Sequence, residues 1–480
     1  MLKDLEPKQI WKYFETYCSI PHPSKHEERA SKFIQETAIR LGLSYKVDEV
    51  GNVLVFKKAF PGLEHHQTIV LQSHLDMVPQ KNSDCEHDFL NDPISPYADN
   101  GWVKANGTTL GADNGIGVAI MLAVLESTDI KHGPIEALFT IDEETGMTGA
   151  NKLSKDFFTG KKFINLDTED EEELCIGCAG GINADATLMT LQEKVSPDKK
   201  AYNVALRGLR GGHSGCDIHL GRANAIKLMN RLIFTAIEKF DIRVCEFHGG
   251  NVRNAIPREA FATVVVPSAY AKDFELFIPE FQKIVLNEYS DVDPDIRFTF
   301  SETALPDKVL TEPSQDNLVR AIYACPNGAI RMSSSFEGVV QTSNNISILQ
   351  CVNGKNEIHC LLRSSVDSER EDLGNAVLSS LALAEAYVEF SGGYPGWQPN
   401  PSSELLNQLQ EIYEELFHKK PQIKVIHAGL ECGIIGAKIP GIDMISCGPT
   451  IKYPHSPDEK VSIESVQRFW NFLRTVLERV

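Results

Sequence analysis

The sequence predicts an α/β protein, a mixed sheet flanked by helices, into which a second domain of α+β type is inserted. Three observations carry this. Over the first 184 residues, short apolar runs with strand character alternate with stretches of helical periodicity. Three of those runs end on side chains of related chemistry: 68–74 on His74, 135–141 on Asp142-Glu143-Glu144, and 162–167 on Asp167. Residues 185–390 then change character, with longer amphipathic helices between strands, and 391–480 resembles the first region again. The expected division is one domain built from 1–184 and 391–480, with 185–390 inserted between its halves.

Size and charge agree with this division. A chain of 480 residues is too long for one ordinary core. Its composition, 42% hydrophobic and 24% charged, is that of a soluble globular protein. A formal net charge of −19 argues against nucleic acid or an anionic membrane surface as partner. Residues 1–7 lack the basic and apolar regions of a secretory signal, and the most apolar stretch, 116–125, is too short to span a bilayer. Eleven scattered cysteines form no disulfide framework and fit reduced thiols in a cytoplasm. Cys175-Ile-Gly-Cys178 has redox or zinc spacing, but it lacks a second pair and reads as small residues in a tight corner.

In chain order, 10–18 and 26–43 have helical spacing, and Ser24 with Glu27 predicts a capping box for the second helix. A hairpin is expected around Gly51 and a buried strand over 68–74. Residues 84–108 read as a polar loop with a short strand at 102–104. Residues 115–126 read as a buried helix, followed by strands 135–141 and 162–167. In the inserted region the spacing predicts strands at 202–206, 261–266, 296–301, 346–351 and 357–363. Helices are predicted at 223–240, 270–289, 316–324 and 369–389. Gly392-Gly-Tyr-Pro-Gly396 marks a turn or linker. A helix at 403–417, strands at 423–426 and 443–446 and a final helix at 463–480 complete the chain.

The strand ends converge on Thr109-Leu-Gly-Ala-Asp-Asn-Gly-Ile-Gly117, a Gly-rich bend with Asp113 at its centre. In an open α/β sheet, ligands collect beyond the carboxyl ends of the strands. Zinc takes His nitrogen and carboxylate oxygen, and two metals about 3.5–4 Å apart need a shared group. His74, Asp113, Glu144, Asp167 and His455 would supply one bridge and two terminal ligands for each metal. Asp76, two residues after His74, is suited to hold the other imidazole nitrogen. Of the adjacent Glu143 and Glu144, one can ligate while the other takes a proton from the attacking water; spacing does not say which. The acidic run 169–173 reads as a solvated loop rather than a further metal site.

With these residues assembled, the chain resembles the dizinc metallopeptidases of aminoacylase/carboxypeptidase type, and among them the dipeptidases. The matching segments include 19–24, 74–81, 107–117, Glu143-Glu144, Gly177-Cys-Ala-Gly-Gly181 and Gly211-Gly-His-Ser-Gly215. They continue through 253–263, 394–399, 427–433 and 454–459, nearly the whole chain in order. The resemblance implies a zinc-peptidase-like catalytic domain with a lid inserted at 185–390. It places His74 and Asp167 on one zinc and Glu144 and His455 on the other, with Asp113 bridging and the following peptide cis. Glu143 becomes the general base and Asp76 the orienter of His74. His213 would stabilise the oxyanion, Asn254 would lie near the substrate, and Arg363 would clamp the terminal carboxylate. Two Zn²⁺ per subunit are implied, for which Co²⁺ or Mn²⁺ could substitute.

The implied activity is hydrolysis of unblocked dipeptides with broad specificity, β-alanyl-histidine included. An N-acyl-amino-acid deacylase or desuccinylase would use the same metals and base. A non-catalytic peptide-binding protein on the same fold is the rival from another class, and the intact set of ligands and base speaks against it. A homodimer through the lid is expected, with His213 acting in its own subunit or across the interface.

Overall fold

The computed structural model describes every residue except Met1 and Asn353. The chain forms two compact units. The first comprises Met1–Gly177, Trp397–Val425 and Leu430–Val480, and the second Cys178–Gly396 with Ile426–Gly429.

Among the described residues, the first unit holds a mixed eight-stranded sheet. Four of its strands, Ile135–Thr140, Ile69–His74, Lys162–Asn165 and Asp443–Ser446, lie side by side and parallel. Their carboxyl ends therefore open on one edge. Every residue of the first two is buried, as expected for parallel strands covered on both faces, which is why they read as unbroken apolar runs. The hairpin Ser44–Val47 and Val53–Lys57 extends one side of the sheet antiparallel. Helix Ala112–Glu126 is buried from Ala112 to Leu125, so its sequence is apolar all round rather than on one stripe. Helices Lys8–Cys18 and Ile463–Arg479 instead bury one face, at Ile10, Trp11, Phe14 and Tyr17, and at Val466, Phe469, Leu473 and Val476.

A belt of buried side chains ties the four parallel strands together. Glu431 accepts hydrogen bonds from Gln72 and Thr140, each at 2.7 Å. Asn165 donates to Gln72 Oε1 at 2.6 Å, and Ser446 donates to Asn165 Oδ1. Gln72, Thr140, Asn165 and Ser446 each bond across a strand boundary, while Glu431 Oε1 stays buried without a partner; the belt fixes the register just below the residues that end the strands.

The second unit is built, among the described residues, on a nine-stranded sheet whose pairings are antiparallel. Helices Ala225–Phe240, Ala271–Tyr289, Glu312–Ala324 and Asp367–Ala382 bury Ile226, Phe274, Leu318 and Val377 in one apolar core with this sheet. Asn224 caps the first of them by accepting from the Ile226 and Lys227 amides. No helix among the described residues is long and apolar enough to cross a membrane.

Several expectations are corrected. Helix Glu28–Arg40 has no side-chain cap; Ser24 donates to Asp76 Oδ2 at 2.8 Å instead, and the Glu27 carboxylate accepts from the Lys25 amide. The strand expected over 162–167 stops at Asn165, leaving Asp167 free of the ladder. The helix expected over 369–389 ends at Ala382, and Tyr387–Tyr394 is a strand that runs into the expected linker. Cys175 and Cys178 lie buried in strand Glu173–Cys178 rather than at a corner. Strand Tyr97–Asp99 and helix Glu431–Lys438 were not foreseen.

Candidate metal centre

Each side chain of the centre is delivered by an element that could not easily place it elsewhere. His74 is the last residue of its buried strand, Glu143 and Glu144 follow strand Ile135–Thr140, and Asp167 follows Lys162–Asn165. Asp113 sits where the chain enters helix Ala112–Glu126, and the Asp113–Asn114 peptide is cis. Gly111, at φ +71°, makes the left-handed turn before it, where a Cβ would also meet Met77 Sδ at 2.9 Å. Glu459 locks this bend. Its two carboxylate oxygens accept from the amides of Leu110, Gly111, Ala112 and Asp113 at 2.7–3.1 Å. That carboxylate satisfies four donors left over at the start of the helix. His455 lies in the turn between the short strands Ile451–Lys452 and Lys460–Ser462 and takes a positive φ of 58°, a conformation uncommon for a non-glycine residue.

The assembled geometry has a near-symmetry about Asp113. Its Oδ1 lies 3.1 Å from His74 Nε2, and its Oδ2 lies 3.1 Å from His455 Nε2. Asp167 Oδ1 stands 3.2 Å from His74 Nε2, and Glu144 Oε1 stands 2.9 Å from His455 Nε2. Thus each imidazole faces one oxygen of the central carboxylate and one further carboxylate. Candidate donor atoms of His74, Asp113 and Glu144 all fall within 4.8 Å of one another. Behind them, Asp76 Oδ1 lies 3.3 Å from His74 Nδ1, and its oxygens accept from the Glu143 and Glu144 amides at 2.9 and 3.2 Å. One buried carboxylate therefore orients both the imidazole and the Glu-Glu corner.

The electrostatics are those of a place short of positive charge. Burial pushes the Glu143 carboxyl well up, with Asp167, Glu144 and Glu431 adding to it against His74. Burial also raises Glu144 and Asp167. Burial works against a charged His74, but Asp167 and Asp113 outweigh it and raise its pKa well above the ordinary value. Hydrogen bonds to Asp113 and Glu144 carry His455 up to about 11. The ion pairs of Asp113, Glu144 and Asp167 all go to these two imidazoles, with no Lys or Arg among their described partners. Mixed nitrogen and oxygen donors, converging and uncompensated, fit a pair of divalent cations.

The acidic run is not the freely solvated loop expected from sequence. Residues 169–173 are all partly buried. Burial, then Asp113 and Asp167, push the Glu169 carboxyl up to about 8.

The remaining predicted residues lie in the second unit. His213 belongs to the short strand Gly212–His213, which pairs with Ala255–Ile256, and Ser214 donates to the Asn254 carbonyl at 2.8 Å. His213 Nδ1 accepts from the Gly215 and Cys216 amides at 3.2 and 3.0 Å. The ring's proton is therefore on Nε2, a donor. Burial and then Arg363 lower its pKa, so the ring is neutral. Asn254 is exposed. Arg363 is 5% exposed, donates from Nη1 to the Tyr394 hydroxyl at 2.9 Å and leaves Nε without a partner. His427, hydrogen-bonded to Ser343 Oγ at 2.7 Å, is pushed down to about 3 by burial, Arg363 and His213.

Sequence reasoning gave no part to Glu459, Glu431, Gln72 or His427. Glu459, Glu431 and His427 fall inside segments that carried the resemblance, but their partners lie far along the chain, where no local pattern can reveal them.

Residues 70–479 match the model of peptidase family M20/M25/M40. The chain belongs to this family of metal-dependent peptide hydrolases. It is 44% identical over 479 residues to the cytosol non-specific dipeptidase of Escherichia coli K12, covering 100% of this chain and 99% of that one. The crystal structure of aminoacylhistidine dipeptidase from Vibrio alginolyticus superposes with a TM-score of 0.95 at 46% identity, over 100% of this chain and 98% of that one. The aminopeptidase PepT of Bacillus cereus shares the fold, with a TM-score of 0.58 at 16% identity over 99% and 98% of the two chains.

Proposed function

We propose that this chain is a cytoplasmic dizinc dipeptidase that hydrolyses unblocked dipeptides broadly, Xaa-His and β-alanyl-histidine substrates among them. The observation that carries the reading is Asp113, whose two oxygens each face one imidazole that also faces a further carboxylate, Asp167 or Glu144. His74 and Asp167 would hold one Zn²⁺, Glu144 and His455 the other, and Asp113 both. Co²⁺ or Mn²⁺ would suit the same donors. Such a pair supplies Lewis acidity toward a peptide carbonyl and acidifies water.

The protein's own residues do the rest. Glu143 takes the proton from the attacking water and returns it to the leaving amine, which suits a carboxyl whose pKa burial has raised. Asp76 holds His74 and the Glu143 backbone in place. His213 presents Nε2–H to the developing oxyanion, Asn254 lies beside the substrate, and Arg363 takes the terminal carboxylate. Residues 185–390 act as a lid on a catalytic domain formed by 1–184 and 391–480, and the lid supports a homodimer. A cytoplasmic setting is supported by the name of the Escherichia coli relative.

The test is hydrolysis of free and N-acetylated dipeptides by chelated protein before and after Zn²⁺ is restored. Metal-dependent cleavage of the free dipeptides alone is expected. Preference for the acetylated substrates would make the protein a deacylase, and no turnover of either with metal bound would end the enzymatic reading.

A further inference from the structure

The connection 250–259 joins strands Arg243–Gly249 and Ala260–Pro267 and carries Asn254. Its first residue is pressed onto the sheet, since a Cβ on Gly250 would lie 1.9 Å from the Ser347 carbonyl oxygen. Further on, the Ala255 carbonyl accepts from Asn345 Nδ2 at 2.8 Å. Between these points Asn251, Val252 and Asn254 are exposed, so little packing holds them. Arg253 reaches back instead. Its Nη2 lies 2.8 Å from Asp185 Oδ1, and its Nη1 lies 3.5 Å from the Cys360 carbonyl oxygen.

The sheet sets Asp185 for this contact. Asp185 is the register partner of His359, and its Oδ1 also accepts from His359 Nδ1 at 2.5 Å. Their chain neighbours Ala184, Ala186, Ile358 and Cys360 belong to the apolar core shared with the helices. Alternation therefore turns Asp185 and His359 to the opposite face, with Arg363 four residues further along the same strand. On its other side Asp185 stands opposite Glu389, a like charge. Such a pairing destabilises a sheet, so the favourable partners of this carboxylate are His359 and Arg253. Burial works against its charge, yet their hydrogen bonds outweigh this and lower its pKa.

What Arg253 holds extends beyond its own position. The Asn254 carbonyl accepts from the Ser214 amide at 2.8 Å, and Ala255 pairs with His213. A link at Arg253 thus steadies Asn254 and, through one hydrogen bond and one strand pairing, His213. We propose that Asp185 is a positioning residue of the substrate site, which by anchoring Arg253 presents Asn254 and His213 in one fixed geometry. This rests on the parts given to those two residues under the dipeptidase reading above.

Asp185→Asn removes the charge and almost none of the volume. With zinc-loaded protein and a free dipeptide, kcat should fall about tenfold, the loss of one charge-assisted hydrogen bond. KM should change less, because an oxyanion donor acts in the transition state. Amide hydrogen exchange read by mass spectrometry should quicken about tenfold in 212–216 and 251–256 and stay unchanged through the rest of the unit. Asp185→Glu keeps the charge and should restore most of both. Glu302→Gln breaks an exposed 2.9 Å pair with Lys200 in the same sheet and should change neither. Unchanged kcat in Asp185→Asn, unchanged exchange in the two segments, or faster exchange throughout the unit overturns the proposal. Should Asp185→Asn fail to fold, Arg253→Met breaks the same link from its other end and must give the same two changes. Turnover by the unaltered protein separates the two levels. If it cleaves free dipeptides and Asp185→Asn does so at full kcat, only this inference fails; if it cleaves none, the dipeptidase reading fails and takes this one with it.

Discussion

The two units collect opposite chemistry. In the first, strand ends bring carboxylates together, and burial raises Glu143, Glu144 and Asp167 by taking their charged forms out of water, against the pull of His74 and His455. In the second, Arg363, His213 and His427 gather, and burial with Arg363 lowers both imidazoles. One set is complete only with cations, and the other suits an anion. On the proposed reading, in which the first set holds metal and the second the substrate's carboxylate, the two bindings can be damaged separately.

The sharpest separation should come from Glu143→Ala. Loss of the proton carrier should lower kcat about 10²–10⁴-fold while zinc content and KM stay near those of the unaltered protein. Parallel loss of zinc would instead make Glu143 a ligand. Arg363→Ala should do the reverse, raising KM about 10–100-fold with kcat little changed, read from initial rates over a range of dipeptide concentrations. A fall in kcat alone would remove Arg363 from ground-state binding.

Acid should strain the second unit through His427. Its pKa falls from the ordinary 6.5 to about 3 on folding, so between those values the unfolded chain binds more protons. The stability it contributes is fully present above pH 6.5 and is lost as pH falls toward 3. The urea midpoint should fall less steeply over that window in His427→Gln, and identical slopes would show that the imidazole does not titrate this way. The smallest effect is expected at Asn224→Ala, which removes a buried cap. It should cost about 1–2 kcal/mol in denaturant unfolding, leaving zinc affinity untouched.

The contrast also explains what could be read from sequence. His74, Glu143, Glu144 and Asp167 were legible because buried parallel strands are unbroken apolar runs, and a His or acid at the end of such a run stands out. Asp113 was legible from its glycines. Here Gly117 is needed because a Cβ would come within 2.4 Å of Ser73 Oγ. Their division between two metals was supplied by resemblance, since spacing cannot tell Glu143 from Glu144. His213, Asn254 and Arg363 lie at strand ends and in turns of an antiparallel sheet, where such residues are ordinary, so only resemblance singled them out.

Secondary structure failed where local preference and long-range contact disagreed. The stretch Leu381-Ala-Leu-Ala-Glu-Ala386 favours a helix, but Glu385 turns with φ +63° and the chain then pairs as a strand with Gly180–Met189. Ser24 looked like a cap and serves Asp76, fifty-two positions away.

The central claim is that one carboxylate, Asp113, holds two metals at once. Zinc uptake by the chelated protein, followed by titration calorimetry and elemental analysis, tests it most directly. The account predicts two zinc ions per chain, one lost in Glu144→Ala and both in Asp113→Ala. Saturation at a single zinc, or retention of both by Asp113→Ala, would contradict it.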